Sequence, residues 1–149
     1  MADLATSPLR GQLGDTRLVS EENVQIVREG YEAFRRDGVE AILEFLDPEV
    51  EVTPFEEAPG GRSYRGHDGF RQYLSDTREI WGQFGWEATD LIDLGDSVVV
   101  RTRFHAEGRG SGVPVEAIVF IVWAMRDGKA VSARGYLDRD EALAAASSA

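Results

Sequence analysis

At 149 residues the chain has the length of one domain, enough to bury about 70% of the surface it exposes when unfolded. It has no cysteine, and its two histidines, His67 and His105, lack any metal-ligand spacing, so disulfides and thiol chemistry are excluded and neither a metal nor another cofactor is expected. A net charge of −11 repels phosphate backbones and anionic bilayers, and no apolar run approaches the roughly 18 residues of a membrane span, so we expect a cytoplasmic protein without nucleic-acid or membrane partners.

Met1 to Arg10 carries Asp3 and few apolar residues, unlike a signal peptide. Residues 1–19 have no hydrophobic period and are expected to be a flexible arm, with the domain proper over 20–149. Ser20 can cap a first helix, with Glu21 and Glu22 in its first turn. Val24, Val27, Tyr31 and Phe34 fall on one stripe of that helix, and Gly38 ends it. Ile42, Leu43 and Leu46 predict a short second helix, stopped by Pro48. Glu49 to Thr53 alternates acid and valine and predicts a strand, followed by a loop over 54–66. His67 or Asp68 can cap a third helix with Phe70, Tyr73, Leu74, Ile80 and Trp81 on one face, ended by Gly82. Strands are then expected over Phe84–Ile92, Ser97–Glu107, Val113–Met125 and Lys129–Leu137, the last two joined by an Asp127-Gly128 turn. Asp138 can cap a terminal helix ending near Ala146. Helices followed by a run of antiparallel strands make an α+β fold.

The order and local motifs resemble the SnoaL-like branch of the nuclear-transport-factor-2-like superfamily. The matching pieces are Tyr31-Glu-Ala-Phe, Asp47-Pro-Glu-Val-Glu, Tyr64-Arg-Gly-His-Asp-Gly, Gly108-Arg-Gly-Ser-Gly, Val122-Trp with Arg126-Asp-Gly-Lys, and Tyr136-Leu-Asp-Arg-Asp-Glu-Ala-Leu. They span roughly residues 20–145. The resemblance implies a cone: a curved antiparallel sheet wrapped around an apolar pocket, with three N-terminal helices. One such fold carries many activities, so the site decides the function.

Alternation turns Val98, Val100, Thr102 and Phe104 to one face of their strand and Arg101, Arg103 and His105 to the other; the apolar set belongs inside. On the last strand Ala133, Gly135 and Leu137 share a face. The resemblance places Val119, Ile121 and Trp123 inside as well. It also locates the catalytic positions of its members. The carboxylate–arginine–carboxylate set of an epoxide hydrolase falls on Phe104, Thr102 and Gly135, and the acid of the polyketide cyclases on Gly135 too. The base of ketosteroid isomerase falls at or beside Thr53-Pro54 and its protonated carboxyl on Ile121, so that only the tyrosine survives, as Tyr31. None of the replacing side chains can activate water or move a proton.

Tyr31 can be a pocket hydrogen-bond donor to a ligand or a core aromatic with a satisfied hydroxyl. Glu56 and Glu57 follow the family's base position; each can reach the pocket mouth or stay solvated. The candidate catalytic groups are therefore Tyr31, Glu56 and Glu57, and the expected pocket is Tyr31, Val100, Thr102, Phe104, Val119, Ile121, Trp123, Ala133 and Gly135. The first functional reading is a domain that binds a small apolar molecule. The alternative is a lyase, isomerase or cyclase acting on a polyketide-, terpenoid- or steroid-like substrate. A carboxylate pointing into the pocket favours the enzyme; a filled core favours neither. Ile118 to Met125 is apolar on both faces, and a second copy of the chain is the expected cover for Ile118, Phe120 and Val122, giving a homodimer.

Overall fold

The computed structural model describes residues 8–54, 63–107 and 112–147, with side chains from residue 21 onward. In chain order it comprises α1 (Pro8–Asp37), α2 (Val39–Ile42), a 3₁₀ turn (Leu43–Phe45), β1 (Leu46–Thr53), β2 (Tyr64–Arg65), α3 (Gly66–Trp81), β3 (Phe84–Asp93), β4 (Ser97–Glu107), β5 (Pro114–Arg126), β6 (Lys129–Tyr136) and α4 (Arg139–Ser147). The strands form a single curved sheet in the order β2-β1-β6-β5-β4-β3. The fold is the α+β cone, with one departure in the sheet and with the expected terminal helix in place. The sheet is mixed, because β1 runs parallel to β6 while every other pairing is antiparallel. The terminal helix expected after Asp138, α4, lies on the outer side of the sheet against β4 and β5.

The helix starts differ from the sequence expectation. The backbone of α1 is helical from Pro8, so Ser20 is interior to it and residues 8–19, expected as an arm, belong to the helix. Residues 1–7 lie outside the described residues. Pro48 sits inside β1, and the helical stretch ends earlier, as a 3₁₀ turn at Phe45. Neither His67 nor Asp68 caps α3: its N-cap is Arg65, in extended conformation and without a side-chain cap bond. The His67 ring instead bonds to the Leu46 carbonyl (3.0 Å), and Asp68 pairs with Arg71 (2.6 Å).

Besides a register shift between Leu46 and Glu51 where β1 meets β6, two irregularities bend the sheet. Thr89 is an extra residue in β3, since Ala88 pairs with Thr102 and Asp90 with the next residue, Arg101. Its hydroxyl is tied to Arg101 on both sides, donating to the carbonyl (2.9 Å) and accepting from Nη1 (2.8 Å). The other lies where β5 meets β6, between Ala124 and Met125. Such bulges sharpen the local twist and let a sheet wrap. The β5–β6 turn is Asp127-Gly128, both at positive φ (53° and 78°), the backbone that a two-residue hairpin of this twist requires.

The core has two compartments. Inside the curve, Val27 and Tyr31 of α1, Phe70 and Leu74 of α3, and Val98, Val100 and Trp123 of the sheet pack together. On the outer side, Val99, Phe120 and Val122 are buried against Ala142 and Ala146 of α4, with Ile118 packed alongside. The cover that the sequence assigned to a second subunit is thus supplied by the chain's own last helix. Alanines spaced i, i+4 let that helix approach the sheet closely.

Candidate functional site

Because α1 and α3 cross only part of the inner sheet face, a cavity of about 440 Å³ remains between them and the strands. The sheet contributes Thr102 and Phe104 from β4, Val115, Ala117, Val119, Ile121 and Trp123 from β5, and Ala133 and Gly135 from β6. The helices contribute Tyr31 and Phe34, Ile42, and a row along α3: Phe70, Tyr73, Asp76, Thr77, Ile80 and Trp81. Ile80 is 42% exposed, as expected of a residue near the opening. The volume lies within the range of small-molecule sites.

Of the residues expected to line a pocket, Tyr31, Thr102, Phe104, Val119, Ile121, Trp123, Ala133 and Gly135 are brought together around this cavity. Val100 is not; it is fully buried in the core beside it. Leu137, expected to share a face with Ala133 and Gly135, lies past the end of β6 and is 49% exposed. Glu56 and Glu57 lie outside the described residues. Thr53 and Pro54 line the cavity too, and of the carried-over positions around it Thr53, Pro54, Thr102, Phe104, Ile121 and Gly135 hold side chains without acid–base capacity, leaving the Tyr31 phenol. His105 is exposed on the outer face, its ring over Gly85, where a Cβ would meet it at 2.6 Å.

Tyr31 is satisfied by the protein. Its hydroxyl lies 2.9 Å from Thr102 Oγ1, and the Trp123 indole N–H donates to it at 3.2 Å. Burial pushes the phenol up to about 12, although both hydrogen bonds pull the other way. At neutral pH it is a protonated structural link from α1 to β4 and β5.

The groups that sequence reasoning missed are on α3 and β2. The Tyr64 hydroxyl donates to Asp76 Oδ2 (2.7 Å), and Gln72 Nε2 donates to Oδ1 (2.7 Å). Asp76 falls on the helix face already occupied by Phe70 and Tyr73, at i+6 and i+3, but a polar residue is left out when a stripe is traced by its apolar members. Tyr73 packs on Tyr64 (centroids 5.3 Å) and stacks on Trp86 (5.8 Å, 18°). Burial raises its phenol well above the ordinary range, and the neighbouring Tyr64 and Tyr31 add to this. Aromatic rings continue around the wall: Trp86 lies against Phe34 and Phe84, and Trp81 meets Phe104 edge-on. Among the described residues no cluster of His, Asp and Glu could hold a metal ion, and no helix is long and apolar enough to cross a membrane.

Residues 27–133 match the SnoaL-like domain family. Among solved structures, TerC co-crystallised with polyporic acid is 25% identical, covers 86% of this chain and 99% of its own, and superposes with a TM-score of 0.71. An NTF2-like protein from Burkholderia thailandensis E264 is 28% identical over 84% of this chain and 96% of its own, with a TM-score of 0.71. A SnoaL-like polyketide cyclase from Jannaschia sp. CCS1, 18% identical over 88% and 95%, shares the fold with a TM-score of 0.66. No curated protein matches the sequence.

Proposed function

The chain belongs to the SnoaL-like domain family, and from that premise we propose that it binds a small, largely apolar molecule inside the cone. The observation that carries this reading is the cavity of about 440 Å³ with an aromatic wall of Phe34, Tyr73, Trp81, Trp86, Phe104 and Trp123. Flat ligands gain from such walls through ring contacts beyond area burial, and each buried methylene contributes about 0.8 kcal/mol. The likeness to TerC, crystallised with polyporic acid, supports a small-molecule occupant. Micromolar affinity is expected once ordering costs offset part of the burial.

The test is a calorimetric screen of aromatic polyketides, terpenoids and steroids against wild type and Gly135→Phe. Gly135 faces Ile121 across the strand pair and lines the cavity, so a phenyl ring there fills it. Binding that survives this change undisturbed places the ligand elsewhere.

One observation favours the second reading, a lyase, isomerase or cyclase. Asp76 is among the residues lining the cavity, and an acidic residue there is what that reading needs. Turnover of a bound ligand that disappears in Asp76→Asn supports it.

We also propose a homodimer, formed on the part of the outer sheet face away from α4. There Arg103 bridges Glu87 (2.9 Å) and Glu116 (2.6 Å) across three strands, beside exposed Arg101 and His105. A patch of both signs can be self-complementary about a two-fold axis.

A further inference from the structure

The hydroxyls of the cavity wall differ in how they are satisfied. Tyr31 and Thr102 bond to each other, Tyr64 donates to Asp76, and Thr77 donates to the Tyr73 carbonyl (2.8 Å). The Tyr73 hydroxyl has no hydrogen-bond partner among the described residues. Its ring is nevertheless held firmly: it stacks on Trp86 (centroids 5.8 Å, 18°), lies against Tyr64 (5.3 Å) and meets Phe70 edge-on (6.3 Å). Tyr73 is half-buried, and it lines the cavity. A phenol packed among rings and without a protein partner is rare, and here the place left for a partner is the cavity itself.

We propose that Tyr73 anchors a ligand carbonyl: the cavity takes a flat aromatic ketone or quinone whose carbonyl oxygen accepts a hydrogen bond from the Tyr73 hydroxyl. This rests on the binding function proposed above and specifies its ligand. Counting donors and acceptors favours a carbonyl. The phenol brings one hydrogen and a carbonyl oxygen takes it, so neither partner has a hydrogen left to place. A ligand hydroxyl that accepts from Tyr73 must still place its own hydrogen. One that donates to Tyr73 leaves the phenol hydrogen to be placed instead. Against an aromatic wall either leftover donor costs part of its desolvation. Because burial raises the Tyr73 phenol, it stays protonated and available as a donor through the physiological range. The packing of its ring fixes the donor beforehand, so little side-chain freedom is lost on binding. The ligand's own rings have Phe34, Trp81 and Trp86 of the same wall to lie against.

The experiment compares indane, 1-indanone and racemic 1-indanol by calorimetry on the intact chain, so that one ring system carries no polar group, a carbonyl or a hydroxyl. Wild type is expected to bind 1-indanone at least about threefold more tightly than either of the others. In Tyr73→Phe, which keeps the ring and its stack on Trp86, 1-indanone affinity falls at least about fivefold. Indane affinity holds or rises in the same variant, which also shows that its cavity is intact. A loss for 1-indanone no larger than for indane, or tighter binding of 1-indanol than of 1-indanone to wild type, overturns the carbonyl anchor and leaves the apolar pocket standing. Failure of all three probes to bind wild type, or binding undiminished in Gly135→Phe, overturns both.

Discussion

The hydroxyl chain in the cavity wall has a direction. Thr102 Oγ1 lies 3.3 Å from the Val100 carbonyl, to which it can only donate. It then accepts from Tyr31, which in turn accepts from the Trp123 indole. Tyr31→Phe leaves that buried indole N–H without an acceptor and is expected to cost about 1–3 kcal/mol, read as a lower urea midpoint, with ligand affinity unchanged. The same group makes the fold alkali-sensitive. Its folded value of about 12 lies above the ordinary phenol value of 10, so between these pH values the unfolded chain has lost a proton that the native state retains. Stability is full below pH about 10 and falls as pH rises toward 12, by about 1.4 kcal/mol per unit for this residue. Urea midpoints measured across that window should show the slope, and Tyr31→Phe should reduce it. At this scale sequence was a partial guide. The helical stripe located Tyr31 facing the interior, but its partners are 71 and 92 residues away, and periodicity carries no information about such pairs. Glycine, threonine and isoleucine at the carried-over catalytic positions were legible as inert. Asp76 was not legible as a wall residue, because its signal is its spacing from Tyr73 and not its polarity.

Elements were read best where a turn or cap has its own chemistry. Asp127-Gly128 closes β5 onto β6, and Asp138 Oδ2 accepts from the Glu141 N–H (3.0 Å) to start α4. They were read worst where tertiary packing overrides local preference: Pro48 is accommodated within β1, and Tyr64-Arg65 adds a two-residue strand to its edge inside what reads as a loop. The largest misreading concerned α4. Its alanines have a weak hydrophobic signature, yet Ala142 is fully buried against the outer face of the sheet. Ala142→Arg inserts a long charged side chain between α4 and Val99, Phe120 and Val122. It is expected to destabilise the protein by about 1–3 kcal/mol and to increase dye binding to exposed apolar surface, as measured by urea titration and ANS fluorescence. Ligand affinity in the cavity should persist in the folded fraction, since α4 packs on the opposite side of the sheet.

For the whole molecule, the proposed homodimer uses the charged half of the outer face around Arg103, because α4 covers the apolar half. An interface of surface ion pairs is screened by salt. Light scattering at micromolar concentration is therefore expected to show a dimer at low ionic strength that dissociates at high ionic strength; a monomer under both conditions refutes the homodimer. The parallel pairing of β1 with β6 has a kinetic consequence. Val52 sits beside Ala133, so a strand made early in synthesis waits for one of the last before the wall of the cavity can close. Every residue between them must be threaded into a loop first, and loop-closure entropy is then recovered only late. Until that moment β5, apolar on both faces, has neither its β6 neighbour nor the α4 cover. Refolding should thus fall in the millisecond-to-second regime of non-local sheets, and its rate-limiting event should be the joining of the two ends of the chain.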